Sequence, residues 1–167
     1  SGGSTLTMQV ARLLEEGTTG KVGGKLRQMR VALALERRLT KDQILTVYLN
    51  EIYLGLNSFG IKAAARAHFH KELDKINVAE AAYLAGLPKK PSELANPARR
   101  ADAIARQKYV IGQMLKNNMI SQREAEEARN FELKIYPVDE RNIFRAPYFA
   151  SLVMRELPEK IAKVNHK

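Results

Sequence analysis

Ser4, Thr5, Gln9 and Arg12 follow the glycine pair Gly2-Gly3 in a run of small and hydroxylated residues. That run leads straight into the helical pattern Val10-Ala11-Arg12-Leu13-Leu14. Glycines free the backbone, hydroxyls donate hydrogen bonds, and a helix N-terminus with a cation one turn in attracts phosphate. The same residues also read as a flexible terminus ending in an N-cap. The local pattern leaves both readings open.

The charge balance points the same way without choosing a partner. Lys and Arg number 28 against 18 Asp and Glu, a net charge of +10 over 167 residues. Such a surface suits nucleic acid, an anionic membrane or a phosphorylated substrate, and is also compatible with a generic basic exterior. Cys is absent, which excludes a disulfide framework, a thiolate metal site and a cysteine nucleophile. His68 and His70 are two apart, so a helix would point them to different sides, against a zinc pair. Among these 167 residues no apolar run is long enough to cross a bilayer and no signal-peptide pattern is visible.

The elements that must position these groups read as helices. The first spans about Thr5 to Glu16, and the Gly-rich loop 17–24 after it is expected to be mobile. A second runs from about Lys25 to Arg38, with Leu26, Met29 and Leu33 as its apolar stripe. Glu36 follows that stripe, so it is expected to be partly buried. It then serves either as an orienting carboxylate in a cleft or as one half of a structural ion pair with Arg37, Arg38 or Lys41. Thr40 with Gln43, Asn77 with Glu80 and Ser121 with Glu124 have the spacing of capping boxes. They open helices bearing Ile44-Leu45-Tyr48-Leu49-Ile52, Ala79–Leu87 and a short stretch through Arg129. Gly55 and Gly60 bracket a break before an Ala-rich helix from Ile61, and Pro88 and Pro91 stop the helix ahead of them. A long helix covers about Arg99 to Asn117, Phe131–Val138 is extended in character, and Ala146–Leu157 is amphipathic. Tyr48, Tyr53, Phe59 and Tyr83 read as core. The composition shifts after Asn130, dividing the chain into 1–130 and a linker-like 131–167.

The order of segments carries a resemblance. Gly2-Gly3-Ser4-Thr5-Leu6-Thr7-Met8-Gln9, Arg27-Gln28 to Glu36, and Lys41–Gly55 with its Tyr48-Leu49-Asn50 core resemble the family 51 glycosyltransferases. These are the peptidoglycan transglycosylase domains of class A penicillin-binding proteins. Leu87-Pro88-Lys89-Lys90-Pro91-Ser92 and Arg106–Ile111 extend the resemblance, which covers roughly Ser1 to Arg129. Arg145-Ala146-Pro147-Tyr148-Phe149 looks like the linker towards a transpeptidase domain.

The resemblance implies a mainly α, lysozyme-like fold and an enzyme that polymerises lipid II at the outer face of the cytoplasmic membrane. An acceptor 4-hydroxyl attacks a donor carried on polyprenyl pyrophosphate. A carboxylate takes the proton and cations hold the departing pyrophosphate, with Mg or Mn as a possible aid. Gly3, Ser4, Thr5, Gln9, Arg12, Gln28 and Arg106 then become substrate-binding candidates, with Arg12 at a phosphate-contacting position and Arg106 reaching or bracing the cleft. Lys89 and Lys90 meet headgroups or are simply solvated.

The sequence also departs from the family pattern. The family's base is a Glu in a Glu-Asp-x-x-Phe segment before Gly-Gly-Ser-Thr, and these 167 residues contain no such segment. The expectation is an N-terminally truncated domain that is inactive alone. Gln28 stands where a second family Glu is usual, as in the 1C branch, whereas Asn50–Gly55 looks more like the 1A branch. A fused transpeptidase domain and an anionic membrane surface are the expected partners. The rival class is a basic helical nucleic-acid-binding or membrane-surface scaffold module without catalysis.

Overall fold

Three reciprocal caps set where helices begin. Thr40 Oγ1 accepts from the Gln43 amide at 3.2 Å, and Gln43 Oε1 accepts from the Thr40 amide at 2.9 Å. Asn77 and Glu80 exchange the same pair of bonds at 2.9 and 3.0 Å, and Ser121 and Glu124 do so at 3.2 and 2.8 Å. Each box satisfies two amides that a helix start leaves without partners.

The computed structural model describes residues 5–15 and 24–136. Within them the helices are α1 (Leu6–Glu15), α2 (Gly24–Arg38), α3 (Lys41–Glu51), α4 (Ile61–Phe69), α5 (Val78–Gly86), α6 (Pro91–Leu94), α7 (Arg100–Lys116) and α8 (Gln122–Asn130). Short 3₁₀ turns occupy Leu73–Lys75, Leu87–Lys89 and Pro97–Arg99. Among the described residues there is no sheet, only the isolated bridge between Tyr53 and Phe59. Pro88 and Pro91 do more than end α5, because each stands in the first two positions of the next turn, where a missing N–H goes unnoticed.

Packing divides the helices into two groups. Helices α1, α2 and α3 pack on one another, and α3 passes to α4. Helix α5 is the hub of the rest, against α4, α7 and α8. Where α5, α7 and α8 meet, Ala79, Ala82, Ala125 and Ala128 let the helices approach closely around buried Ile111. The larger cluster gathers Leu54, Phe69, Tyr83, Leu84, Leu87 and Leu133. Gln107, fully engaged in this interior, donates from Nε2 to the Ala79 carbonyl at 2.8 Å and ties α7 to α5.

His68 lies wholly inside the larger cluster. Its Nε2 is 2.9 Å from the Leu54 carbonyl, so that nitrogen carries the proton and donates. The Tyr83 hydroxyl faces the other ring nitrogen at 3.5 Å. Burial lowers the His68 pKa below its ordinary 6.5, with the Leu54 bond opposing. The unfolded chain therefore binds this proton more readily than the folded one. The contribution of neutral His68 is complete above about pH 6.5 and is lost as pH falls below it. Urea midpoints measured at pH 7.5 and 5 should drop more for wild type than for His68→Gln; parallel drops would remove this role.

Several side chains depart from the sequence reading. The stripe Leu26, Met29 and Leu33 faces outward, at 71%, 46% and 55% exposure, while the opposite face of α2 turns inward through Val31, buried Ala32 and Leu35. Both faces of α2 are apolar, so periodicity could not choose; the small Ala32 admits the neighbouring helices more closely. Glu36, on the outward side, is exposed rather than partly buried. Phe59 is also exposed, resting on Tyr53 with ring centroids 5.0 Å apart, and Tyr48 and Tyr53 are half-buried; only Tyr83 of the four aromatic residues is core.

Past Asn130 the chain forms no strand through Tyr136 but continues to pack. Leu133 is buried, its carbonyl accepts from Arg100, and the Tyr136 amide donates to the His68 carbonyl at 2.9 Å. His70, at positive φ on the end of α4, stacks on Tyr136. Contacts divide the chain into Ser1–Tyr136 and Pro137–Lys167. The loop 17–23, the stretch Ala146–Leu157 and the motif Arg145–Phe149 lie outside the described residues.

Candidate functional site

Helix α1 is built with two opposite faces. Thr7, Val10 and Ala11 are buried, and at about 100° per residue they fall on the side away from Thr5, Gln9 and Arg12. Those three are exposed and follow one another at i, i+4 and i+7, a single stripe that begins at the helix N-terminus. Thr5 caps that terminus, since its Oγ1 accepts from the Met8 amide at 3.2 Å. The burial of Val10 and Ala11 against α2 and α3 therefore determines which side chains α1 presents to a ligand. Gly3 and Ser4 lie outside the described residues.

Gln28 is half-buried, on the same inward face of α2 as Val31, Ala32 and Leu35, and α2 packs on α1. A carboxamide there donates and accepts hydrogen bonds without bringing charge into the interface. Glu36, eight residues further and exposed, lies on another face of the helix.

Arg106 does not join this set. It stands on α7, which packs against α5, α6 and α8 and has no substantial packing with α1, α2 or α3. Its stem runs past Gly86 at the end of α5, where a Cβ would come within 3.0 Å of Arg106 Cγ. Its guanidinium lies 4.8 Å from the Tyr109 ring centroid, beside an open cavity of about 560 Å³ between α6 and α7. Lys89 and Lys90 line the same cavity. Sequence reasoning passed over Arg99, Asp102 and Tyr109 here. A signal was present, because 102, 106 and 109 recur at helical spacing along one face of α7 and Arg99 stands three residues ahead of them. Glu93 in this cavity is held below the ordinary carboxylate range chiefly by its hydrogen bond from Lys90.

Among the described residues no three His, Asp or Glu gather to hold a metal. No described helix is long and apolar enough to cross a membrane.

The chain belongs to the transglycosylase family: the family model "Transglycosylase" matches residues 1–115. The chain is 39% identical over 163 residues to penicillin-binding protein 1A of Neisseria gonorrhoeae, covering 96% of this chain and 20% of that protein. It is 36% identical over 157 residues to penicillin-binding protein 1A of Escherichia coli K12, covering 93% and 18%. It is 40% identical over 163 residues to penicillin-binding protein 2D of Bacillus subtilis 168, covering 96% and 23%. The crystal structure of penicillin-binding protein 1A from Haemophilus influenzae superposes with a TM-score of 0.51 at 27% identity, covering 92% of this chain and 20% of that one. The chain thus spans about a fifth of the length of these relatives. The fold is mainly α, of the helical lysozyme-like transglycosylase type.

Proposed function

We propose that this chain contributes the donor-pyrophosphate side of a peptidoglycan polymerase acting on lipid II. The observation that carries the reading is the exposed Thr5–Gln9–Arg12 stripe at a helix N-terminus in a chain of this family. As an acceptor 4-hydroxyl attacks C1 of the lipid-linked donor, the C1–O bond to polyprenyl pyrophosphate breaks and charge builds on the leaving group. The Arg12 guanidinium, with two parallel N–H donors, and the Gln9 amide meet that charge. The N-terminus of α1 adds its partial positive charge. Were Mg or Mn to aid the step, the pyrophosphate oxygens would offer it hard ligands and it would offset charge on the leaving group.

Membrane contact at the outer face of the cytoplasmic membrane fits the outward side of α2. Leu26, Met29 and Leu33 are exposed there on a helix that also carries Lys25, Arg27, Arg30, Arg37 and Arg38. Apolar side chains with interspersed cations suit an anionic headgroup layer. A transpeptidase domain is the partner proposed in the parent protein.

The step also needs a proton acceptor, which these residues do not supply by motif. The 167 residues hold no Glu-Asp-x-x-Phe segment, and the α1 stripe bears no carboxylate. The polypeptide of these residues is expected to bind lipid II yet form no glycan when incubated with fluorescent lipid II and a divalent cation. Arg12→Ala should weaken that binding about ten-fold, the worth of one charge-assisted contact. Efficient polymerisation by the 167-residue chain would overturn the absent-base reading. Binding indifferent to Arg12 would overturn the assignment of the stripe.

A further inference from the structure

We propose that the cavity between α6 and α7 is a second anion site, which takes a phosphate ester independently of the α1 stripe. Four cations line it: Lys89 and Lys90 from the turn Leu87–Lys89 and the residue after it, Arg99 from the turn just before α7, and Arg106 on α7. Two carboxylates share the space, and both are already engaged. Glu93 accepts from Lys90 at 2.9 Å and lies 3.5 Å from Arg99, while Asp102 is 3.1 Å from Arg99 Nε. Lys89 and Arg106 have no carboxylate partner among the described residues. The cavity is thus left with two uncompensated positive charges, one on each wall.

Arg106 supplies the strongest indication. Its Nε is shielded from solvent and finds no acceptor among the described residues, although a buried N–H without an acceptor is costly and rarely tolerated. An oxygen that approaches the guanidinium edge would satisfy it. A phosphate oxygen meets that geometry, and a guanidinium fork favours it over a simple halide. The Arg106 guanidinium rests over the ring of Tyr109, itself an exposed residue of the cavity lining. At about 560 Å³ the cavity exceeds what a bare phosphate needs, leaving room for the organic part of an ester. Gly86 completes the construction by omitting the Cβ that the Arg106 stem would meet.

A phosphate ester could reach the cavity as a soluble metabolite or as a phospholipid headgroup, and two arms separate these sources. In the first, sn-glycerol 3-phosphate is titrated into the full ¹⁵N-labelled chain. The Arg106 Nε–H resonance, slowed in exchange by burial, should shift along a saturable curve together with the Tyr109 ring signals. In the second, flotation compares phosphatidylglycerol with phosphatidylcholine vesicles. Lys89→Gln, an exposed position, and Arg106→Met, which keeps the packed stem, should each weaken binding at least about five-fold. Arg123→Gln on α8, an exposed residue, removes the same charge elsewhere and should change it little. Saturable binding in the first arm supports a soluble ester, and an effect of Lys89 and Arg106 confined to vesicles supports a headgroup. No saturable shift together with vesicle binding indifferent to both variants overturns the site, as does an equal effect of Arg123→Gln. None of these readouts depends on glycan synthesis, so the site stands or falls apart from the polymerase reading.

Discussion

Gly60→Ala is expected to destabilise the helical unit by about 3 kcal/mol or more. Gly60 has φ 79° and ψ 153°, a conformation that side-chain-bearing residues scarcely occupy. A Cβ there would stand 2.3 Å from the Asn50 carbonyl oxygen, which is backbone and cannot swing aside. The same residue donates its amide to the Ile52 carbonyl at 2.9 Å and precedes the first turn of α4. It therefore joins the end of α3, which supports α1 and α2, to α4, which leads into the α5 core. Relief of the clash has to separate those helices. Urea unfolding at constant m would record the loss as a lowered midpoint. A change under about 1 kcal/mol would mean that the 52–60 loop adapts and is no rigid joint.

Tyr83→Ala is expected to cost about 3–5 kcal/mol, because a large ring is removed from a site with no solvent access. Tyr83 is 2% exposed and meets the His68 and Phe69 rings edge-on at 5.4 and 5.7 Å. Burial pushes its phenol up to about 12, with Arg100 opposing, so it stays neutral at every working pH. Tyr83→Phe separates packing from polarity. The hydroxyl lies 3.5 Å from His68 Nδ1, at the outer limit of a hydrogen bond, so its loss should cost no more than about 1 kcal/mol. If Phe proves as harmful as Ala, the hydroxyl and not the ring holds this core together. Truncation of Tyr83 also loosens His68, whose Nε2 anchors the Leu54 carbonyl of the same 52–60 loop. The two substitutions attack one structural unit from opposite sides.

The site residues illustrate two degrees of legibility. Thr5, Gln9 and Arg12 could be named from residue type and from the resemblance, while their shared outward face follows from the burial of Thr7, Val10 and Ala11. On α2 the reading of the apolar stripe failed. Leu26, Met29 and Leu33 are larger and more regularly spaced than Val31, Ala32 and Leu35, yet the smaller set packs inward. Helix contact rewards close approach as well as apolar area, and Ala32 permits it. The exposure of Glu36 follows directly from that choice. Arg106 was grouped with Arg12 by type of chemistry, whereas α7 packs in the other group of helices.

By itself the sequence determined where helices start and stop, that the chain is strongly basic and that it bears transglycosylase segments. These properties are local, arising from caps, breakers and periodicity over a few residues. Only the tertiary structure decided which apolar face of α2 is hidden, that Phe59 lies outside while His68 lies inside, and that Lys89 and Arg106 face one cavity across α6 and α7. Those outcomes depend on which helices meet and how closely their small residues let them approach, a competition among distant segments that no local pattern encodes.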